Sequence, residues 1–434
     1  MAAQNLLAYG VNLADNIMLG RYNETSLAAA AIVNQIQYLL QMICIAGIGA
    51  GTVVIVSQYW GKGEVEPIRR IIALAMKFAA AVGLIFFSIS FILPGGVLSI
   101  FTSDASVRSE GVNYLRIICF TYMLFPLESV LVTSLRGARI VLLGTVVSVI
   151  SLLLNIVLNY IFIFGNFGAP EMGIKGAALA TLISRLVQLT VVLVYVRLID
   201  RKLRLRLLSF FKLDAYYLSD FIKVALPVML SGVSWGIGMM LQMVILGHLT
   251  KSIVAANSIA ATVYQVITSF AFGQVSSSNV IIGNTVGAGR MDQIKPYART
   301  LQLLYILSGL VSGLVLLLVR DLVLSVYVLE PETRELARTF MTLLMVVVVF
   351  ASYQYPAASG IVLGGGNTRY PVIVETTFIW LCVLPLSALS AFVWKLSPVI
   401  TFLFLKSDQF LKCIPNGIVL NRYRWVRVLT RDDE

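Results

Sequence analysis

Long apolar runs divided by short polar breaks fill this chain from its first residues almost to its last. A hydrocarbon core about 30 Å thick takes about 20 helical residues to cross. Runs near that length fall at 2–20, 32–56, 72–93, 114–135, 141–164, 174–198, 222–248, 256–284, 299–319, 337–363, 371–394 and 396–411. Lipid offers no water to backbone N–H and C=O groups, so the spanning segments must satisfy them internally, as helices do. The pattern therefore predicts an all-α polytopic membrane protein with about twelve transmembrane helices. Two spans are unusual. The last is short and carries Lys406. The first opens directly on Met1-Ala2-Ala3-Gln4-Asn5 and reads as clipped at its start.

The chain also repeats itself. GIGAGTVVIVSQYWGKGEVEPIRR runs from Gly47 to Arg70, and GQVSSSNVIIGNTVGAGRMDQIKP runs from Gly273 to Pro296, a gapless offset of 226 positions (273 − 47). Gly61 falls on Gly287, Gly63 on Gly289, Gln58 on Asn284 and Glu66 on Asp292. A unit duplicated over half of an apolar chain points to a two-lobed transporter with a path between the lobes. Six spans per half is an even number, so both halves enter the membrane from the same side. The expected architecture is two pseudo-symmetric six-helix bundles in a parallel repeat. The first lobe covers 1–199, a basic connector 200–216, the second lobe 217–411 and a basic cytoplasmic tail 412–434.

Composition narrows the class. The 434 residues are 59% hydrophobic and only 12% charged, and the mean hydropathy is +0.89. A bilayer, not a soluble core, solvates that much apolar surface. The net charge of +12 does not point to nucleic acid. Lys62, Arg69, Arg70, Arg136, Arg139, Arg201, Lys202, Arg290, Lys295 and Lys412 follow alternate spans, which places both termini in the cytoplasm. Cys44, Cys119, Cys382 and Cys413 form no CxxC pair, and His248 is the only histidine, so no cofactor and no metal cluster is expected. An intramembrane enzyme would need paired aspartates or clustered histidines, and none falls within a span. Gly61-Lys62-Gly63 and Gly287-Ala288-Gly289 lack the setting of a phosphate loop and read as helix terminators. Pro126, Pro227, Pro356 and Pro385 lie within spans and predict kinks, static or hinged.

Six segments carry a resemblance. They are NLADNIMLGRY at 12–22, VIVSQYWGKGE at 54–64, NIVLNYIFIFG at 155–165, MGIKGAALATLISR at 172–185, NVIIGNTVGAGR at 279–290 and GGGNTRYPVIVE at 364–375. In this order, and over essentially the whole chain, they resemble the multidrug and toxic compound extrusion transporters. The resemblance implies two six-helix bundles flanking a cleft. It also implies export of drug-like, often cationic, amphiphiles in exchange for sodium or protons. A bacterial plasma-membrane location, small-molecule substrates and a monomer follow as expectations. The alternative within the wider superfamily is a flippase for a lipid-linked sugar or another amphiphile.

Asp15 stands out among the intramembrane charges. An acid in an apolar span costs about 2.5–3.5 kcal/mol on insertion scales, and ion coupling is the usual reason to keep one. The family carries a first-helix acid in this Asn-Leu-Ala-Asp setting. In one branch, fifth- and sixth-helix polar residues join it around a sodium ion. By that resemblance Asn155, Asn159 and Thr181 complete the site, with Asn159 standing where the family has an Asp. Positions 155 and 159 lie one turn apart on one helical face, a spacing that also suits helix-to-helix hydrogen bonding. No metal beyond a sodium at Asp15 is expected. The repeat gives Asp15 only Gln242 as a counterpart. A second branch uses an Asn-Glu-x-x-Trp-Gly motif and an Asp before Thr-Arg. Here Gly232 and Asn367 occupy those places, which predicts a second-lobe cavity poor in titratable groups. Trp235, Met239, Gln242 and Met243 on the seventh span, with Glu128 behind Pro126, are the candidate substrate-pocket residues. Methionine adapts to many ligand shapes, and lipid contact or core packing is the plainer role for each.

Overall fold

The computed structural model describes residues 2–101, 104–205, 215–247, 249, 251–326 and 330–430. Among these the regular structure is helical throughout. The first part of the chain forms α1 (Ala2–Tyr22), α2 (Glu24–Gln41), α3 (Ala50–Lys62), α4 (Val65–Ile92), the short α5 (Pro94–Ser99), α6 (Ala105–Ile118), α7 (Thr121–Gly137), α8 (Leu142–Phe164) and α9 (Ile174–Val194). The second part forms α10 (Ala215–Gly247), α11 (Lys251–Gly287), α12 (Met291–Val326), α13 (Pro331–Tyr355), α14 (Arg369–Thr377), α15 (Leu384–Ala388), α16 (Pro398–Leu405), α17 (Ser407–Leu411) and α18 (Cys413–Arg422).

Nine described helices are long and apolar enough to cross a membrane, and α6 with α7 makes a tenth span bent by 54°. α1 and the broken run α16 to α18 fall where the first and last spans were expected. Local chemistry sets several helix ends. Asn23 caps α2 by accepting from Thr25 N at 2.7 Å. Asp104 caps α6 by accepting from Ser106 N at 2.8 Å and Val107 N at 3.2 Å. Gly165, at φ 70°, lets α8 stop in a left-handed turn.

The prolines act differently from the simple expectation. The sharp bend in the fourth span falls at Cys119–Phe120, between α6 and α7, and not at Pro126. Pro126 sits within α7, where it removes the donor to the Tyr122 carbonyl. Gly83 of α4 packs against that carbonyl: a methyl added there would come within 2.6 Å of Tyr122 O. Pro356 opens a widened π-type turn, Pro356–Val362. Pro385 lies in α15, between two more such turns, Phe378–Val383 and Leu389–Val393. Another widened turn, Met42–Gly49, joins α2 to α3.

The chain folds as two compact units. One comprises Ala3–Val56 and Glu64–Met229, and the other Met1–Ala2, Ser57–Gly63 and Leu230–Glu434. In the first, which we call the N-terminal unit, α9 packs on α6, α7 and α8. In the second, the C-terminal unit, Phe340 of α13 stacks on Phe402 of α16 with centroids 4.2 Å apart. That pair lies in an apolar cluster with Leu246, Ile253, Leu316 and Leu344.

The end of α3 crosses the end of α11 inside the C-terminal unit, and the contact is reciprocal. A methyl on Gly61 would lie 2.8 Å from Ala288 N and against the Asn284 carbonyl. A methyl on Gly287 would lie 2.7 Å from Gln58 Cα and against the Gln58 carbonyl. Ser57 likewise meets Gly283. Each of these pairs is related by the 226-residue offset, as in a self-complementary twofold contact. Gly61 and Gly287 thus serve close backbone approach and not termination. The helix ends fall to Gly63 and Gly289, at φ 88° and 69°.

Candidate polar site of the N-terminal unit

Three helices bring four of the expected residues together. Asp15 is on α1, Asn155 and Asn159 are one turn apart on α8, and Thr181 is on α9. All four are buried, the two asparagines fully. The Asn159 amide nitrogen donates to the Asp15 carboxylate and, at 3.2 Å, to Asn155 Oδ1. Asn155 Nδ2 donates to Thr181 Oγ1 at 3.3 Å. A continuous polar string therefore runs from the acid across α8 to α9.

The string is not fully satisfied. Because the Asn159 amide turns its nitrogen to Asp15, its carbonyl oxygen Oδ1 is left buried with no hydrogen-bond partner among the described residues. Ser184 Oγ, one turn beyond Thr181 on the same helix, is in the same condition. Buried oxygen acceptors without a donor cost about 1–3 kcal/mol each. A cation or a water supplies what they lack.

Positive charge lies close by. Arg185 follows Ser184 on α9, and its charge acts on both Asp15 and Glu128. The guanidinium rests 4.9 Å from the Phe125 ring centre and bonds Gln188 Oε1 at 2.9 Å. Glu128 of α7 is buried, only 7% exposed, and lies in the field of Arg185 and Arg136. Within a span, Arg185 suits either a partner for a buried acid or a cation snorkelling to the interface; here it stands among the surroundings of both acids.

The expected pocket residues of α10 belong to the C-terminal unit. Trp235, Met239 and Gln242 share one helical face by spacing. Trp235 packs on the apolar cluster of Ile245, Ile379, Leu384 and Ala391. Gln242 is buried and Met239 half-buried. The side chain of Met243 and all of His248 lie outside the described residues.

The C-terminal unit also holds an ionic cluster that sequence did not group. Lys412, counted above as a tail charge, is 1% exposed. Its ammonium bridges Glu375 Oε1 at 3.0 Å and Asp408 Oδ2 at 2.9 Å. Gln409 Nε2 also donates to Asp408, at 2.7 Å, and Gln354 donates to Gln409 Oε1 at 2.8 Å. Buried titratable groups are thus present in this half despite Gly232 and Asn367. The i, i+4 spacing of Asp408 and Lys412 was the available signal. Among the described residues no group of three or more His, Cys, Asp and Glu side chains suits a metal ion.

Comparison with known proteins agrees with this architecture. The chain is 24% identical over 432 residues to a probable multidrug resistance protein NorM of Thermotoga maritima, covering 99% of this chain and 92% of that one. It is 27% identical over 391 residues to a probable multidrug resistance protein NorM of Listeria monocytogenes, covering 88% and 83%. A crystal structure of MATE in the bent conformation superposes with a TM-score of 0.86 at 17% identity, over 97% of this chain and 92% of that one. The MatE family profile matches residues 1–161 and 227–389. With both halves of the repeat matched, this chain belongs to the MatE family, the multidrug and toxic compound extrusion transporters, and is a membrane transporter and not an enzyme.

Proposed function

We propose that this chain is a secondary antiporter that exports drug-like, cationic amphiphiles in exchange for sodium or protons. The NorM relatives carry the name of multidrug resistance proteins, which supports efflux. The observation that carries the coupling site is the string Asp15–Asn159–Asn155–Thr181, with a buried, unpartnered oxygen on Asn159. Asp15 supplies the charge, and Asn155, Asn159 and Thr181 supply neutral oxygens at hydrogen-bonding range. Such a set binds a small monovalent cation or holds a protonated acid.

Exchange follows if the ion and the substrate favour opposite members of one two-state equilibrium. Each then shifts the population that the other needs, and the coupling is reciprocal. We assign substrate contact to Glu128 within the N-terminal unit and to Trp235, Met239 and Gln242 within the C-terminal unit. The protein works as a monomer in a bacterial plasma membrane, both termini cytoplasmic.

The test is counterflow of a cationic dye in proteoliposomes, with sodium and pH gradients applied separately. Wild-type protein should accumulate dye under at least one gradient. Asp15→Asn, which keeps shape and removes the ionisable charge, should abolish that uptake while remaining folded. Equal uptake by wild type and Asp15→Asn under both gradients would refute the coupling site.

A further inference from the structure

Residues 423–430, which follow α18, stay packed on the fold. Tyr423, at φ 55°, ends the helix with a left-handed turn, and Lys295 Nζ lies 5.4 Å over its ring. Trp425 then turns inward and is buried, with Nε1 donating to Leu420 O at 2.9 Å. Its ring covers Gly365, where no side chain would fit beside it. Arg427 N donates to Gly365 O at 2.7 Å.

The second fastening comes from the other half of the repeat. Gln58 Nε2 donates to Arg427 O at 3.1 Å, and Leu429 N donates to Gln58 Oε1 at 2.7 Å. Both arms of one fully buried amide are therefore spent on backbone groups two residues apart in a segment without regular secondary structure. Gly366, at φ 96°, leaves the space for this, since a methyl there would lie 3.1 Å from Gln58 Nε2.

Gln58 is not an arbitrary anchor. Ser57–Gly63 packs with the C-terminal unit, although the chain before and after it belongs to the N-terminal unit. It is also the segment that crosses α11 through Gly61 and Gly287. Whatever grips Gln58 therefore grips the crossing. If the tail left, the Gln58 amide would lose both partners at a buried position, which favours hydration of the crossing.

We propose that residues 423–430 are a strap that locks the α3–α11 crossing, so that release of the strap loosens the crossing; this lock does not rest on the antiport reading. Because Gln58 reads only backbone groups, the strap needs Trp425 as its anchor and a free N–H at 429, and tolerates variation elsewhere.

The test uses the full-length protein in nanodiscs and loosens the strap from both sides. Gln58→Met removes the amide and keeps the length, whereas Leu429→Pro removes the donor without touching the crossing. Hydrogen–deuterium exchange is followed at 425–430, 57–63 and 284–290. Exchange at 425–430 should rise about tenfold or more in either variant, the change that losing one or two ordinary hydrogen bonds allows. Exchange at 57–63 and 284–290 should rise with it in Leu429→Pro as well as in Gln58→Met. If Leu429→Pro frees 425–430 while 57–63 and 284–290 exchange as in the parent, the strap is a passive tail and the proposal is overturned. Absence of ion-driven dye flux in the parent would strike the antiport reading alone and leave this result standing.

Discussion

Lys412→Met should destabilise the protein more than any surface substitution. Methionine keeps most of the stem and removes the ammonium that stands 3.0 Å from Glu375 and 2.9 Å from Asp408. Both acids stay where they are, with side chains only 15% and 9% exposed. Leaving a buried charge without its partner costs about 3–5 kcal/mol. The Gln409 amide, which also donates to Asp408, holds the loss near the lower end, about 3 kcal/mol. For a folded unit of some 200 residues that corresponds to a melting temperature lower by about 6–12 °C. The assay is thermal stability in detergent, read by the monodisperse peak on size exclusion. The triple variant Glu375→Gln/Asp408→Asn/Lys412→Met leaves no uncompensated charge and should recover most of the loss, because a neutral replacement of a whole buried cluster is often tolerated. The single and triple variants together form a test of coupling, not of one contact. A single variant that melts with the parent, or a triple variant that melts no higher than the single, would refute a buried ionic tether.

Further predictions follow from the other sites. Asn159→Asp places a second carboxylate against Asp15; like charges in contact resist double ionisation, so the pH midpoint of dye exchange should move upward relative to the parent, and an unmoved midpoint would argue that Asn159 does not face the acid. Gly61→Ala should abolish monodisperse protein because its methyl meets the α11 backbone, while Gly95→Ala, which meets nothing within 4 Å, should stay within about 0.5 kcal/mol of the parent. Asp104→Ala should fray the start of α6, seen as faster amide exchange at Ser106 and Val107. The hydrogen bonds from Ser106 and Val107 hold the Asp104 carboxyl below its ordinary value, so the cap is complete above that value and is lost as pH falls through the lowered one.

The spans were legible because membrane solvation writes itself into length and apolarity, and ten of the twelve expected runs reappear as spanning helices or a bent pair. The grouping of Asp15 with α8 and α9 was legible in a different way. The Asn155–Asn159 spacing is local, but its meeting with Asp15 across 144 positions came from resemblance and not from periodicity. The docking of Lys412 against Glu375 and of the segment after α18 shares one cause of illegibility: the deciding partner is remote in sequence. Lys412 read as a tail charge because the apolar run stops at Leu411, and only Glu375 shows that it is internal. Trp425 and Leu429 fall in the expected basic cytoplasmic tail, and only Gly365 and Gln58, far off in sequence, hold them to the fold. The bend at Cys119–Phe120 carries no proline to announce it, whereas Pro126 passes within a helix that a neighbouring glycine accommodates.

The reciprocal crossing has a consequence for how the two halves could part ways. In a symmetric pair of identical halves, one change at this contact would be felt twice, once in each copy. Fusion into a single chain halves that penalty and frees each position to specialise while its counterpart keeps the packing. Gln58 and Asn284 occupy equivalent places. Asn284 turns its amide back onto Val280 O of its own helix at 2.6 Å, whereas Gln58, one methylene longer, reaches out to the tail. A single methylene, permitted by broken symmetry, separates a residue that looks inward from one that fastens Arg427 and Leu429.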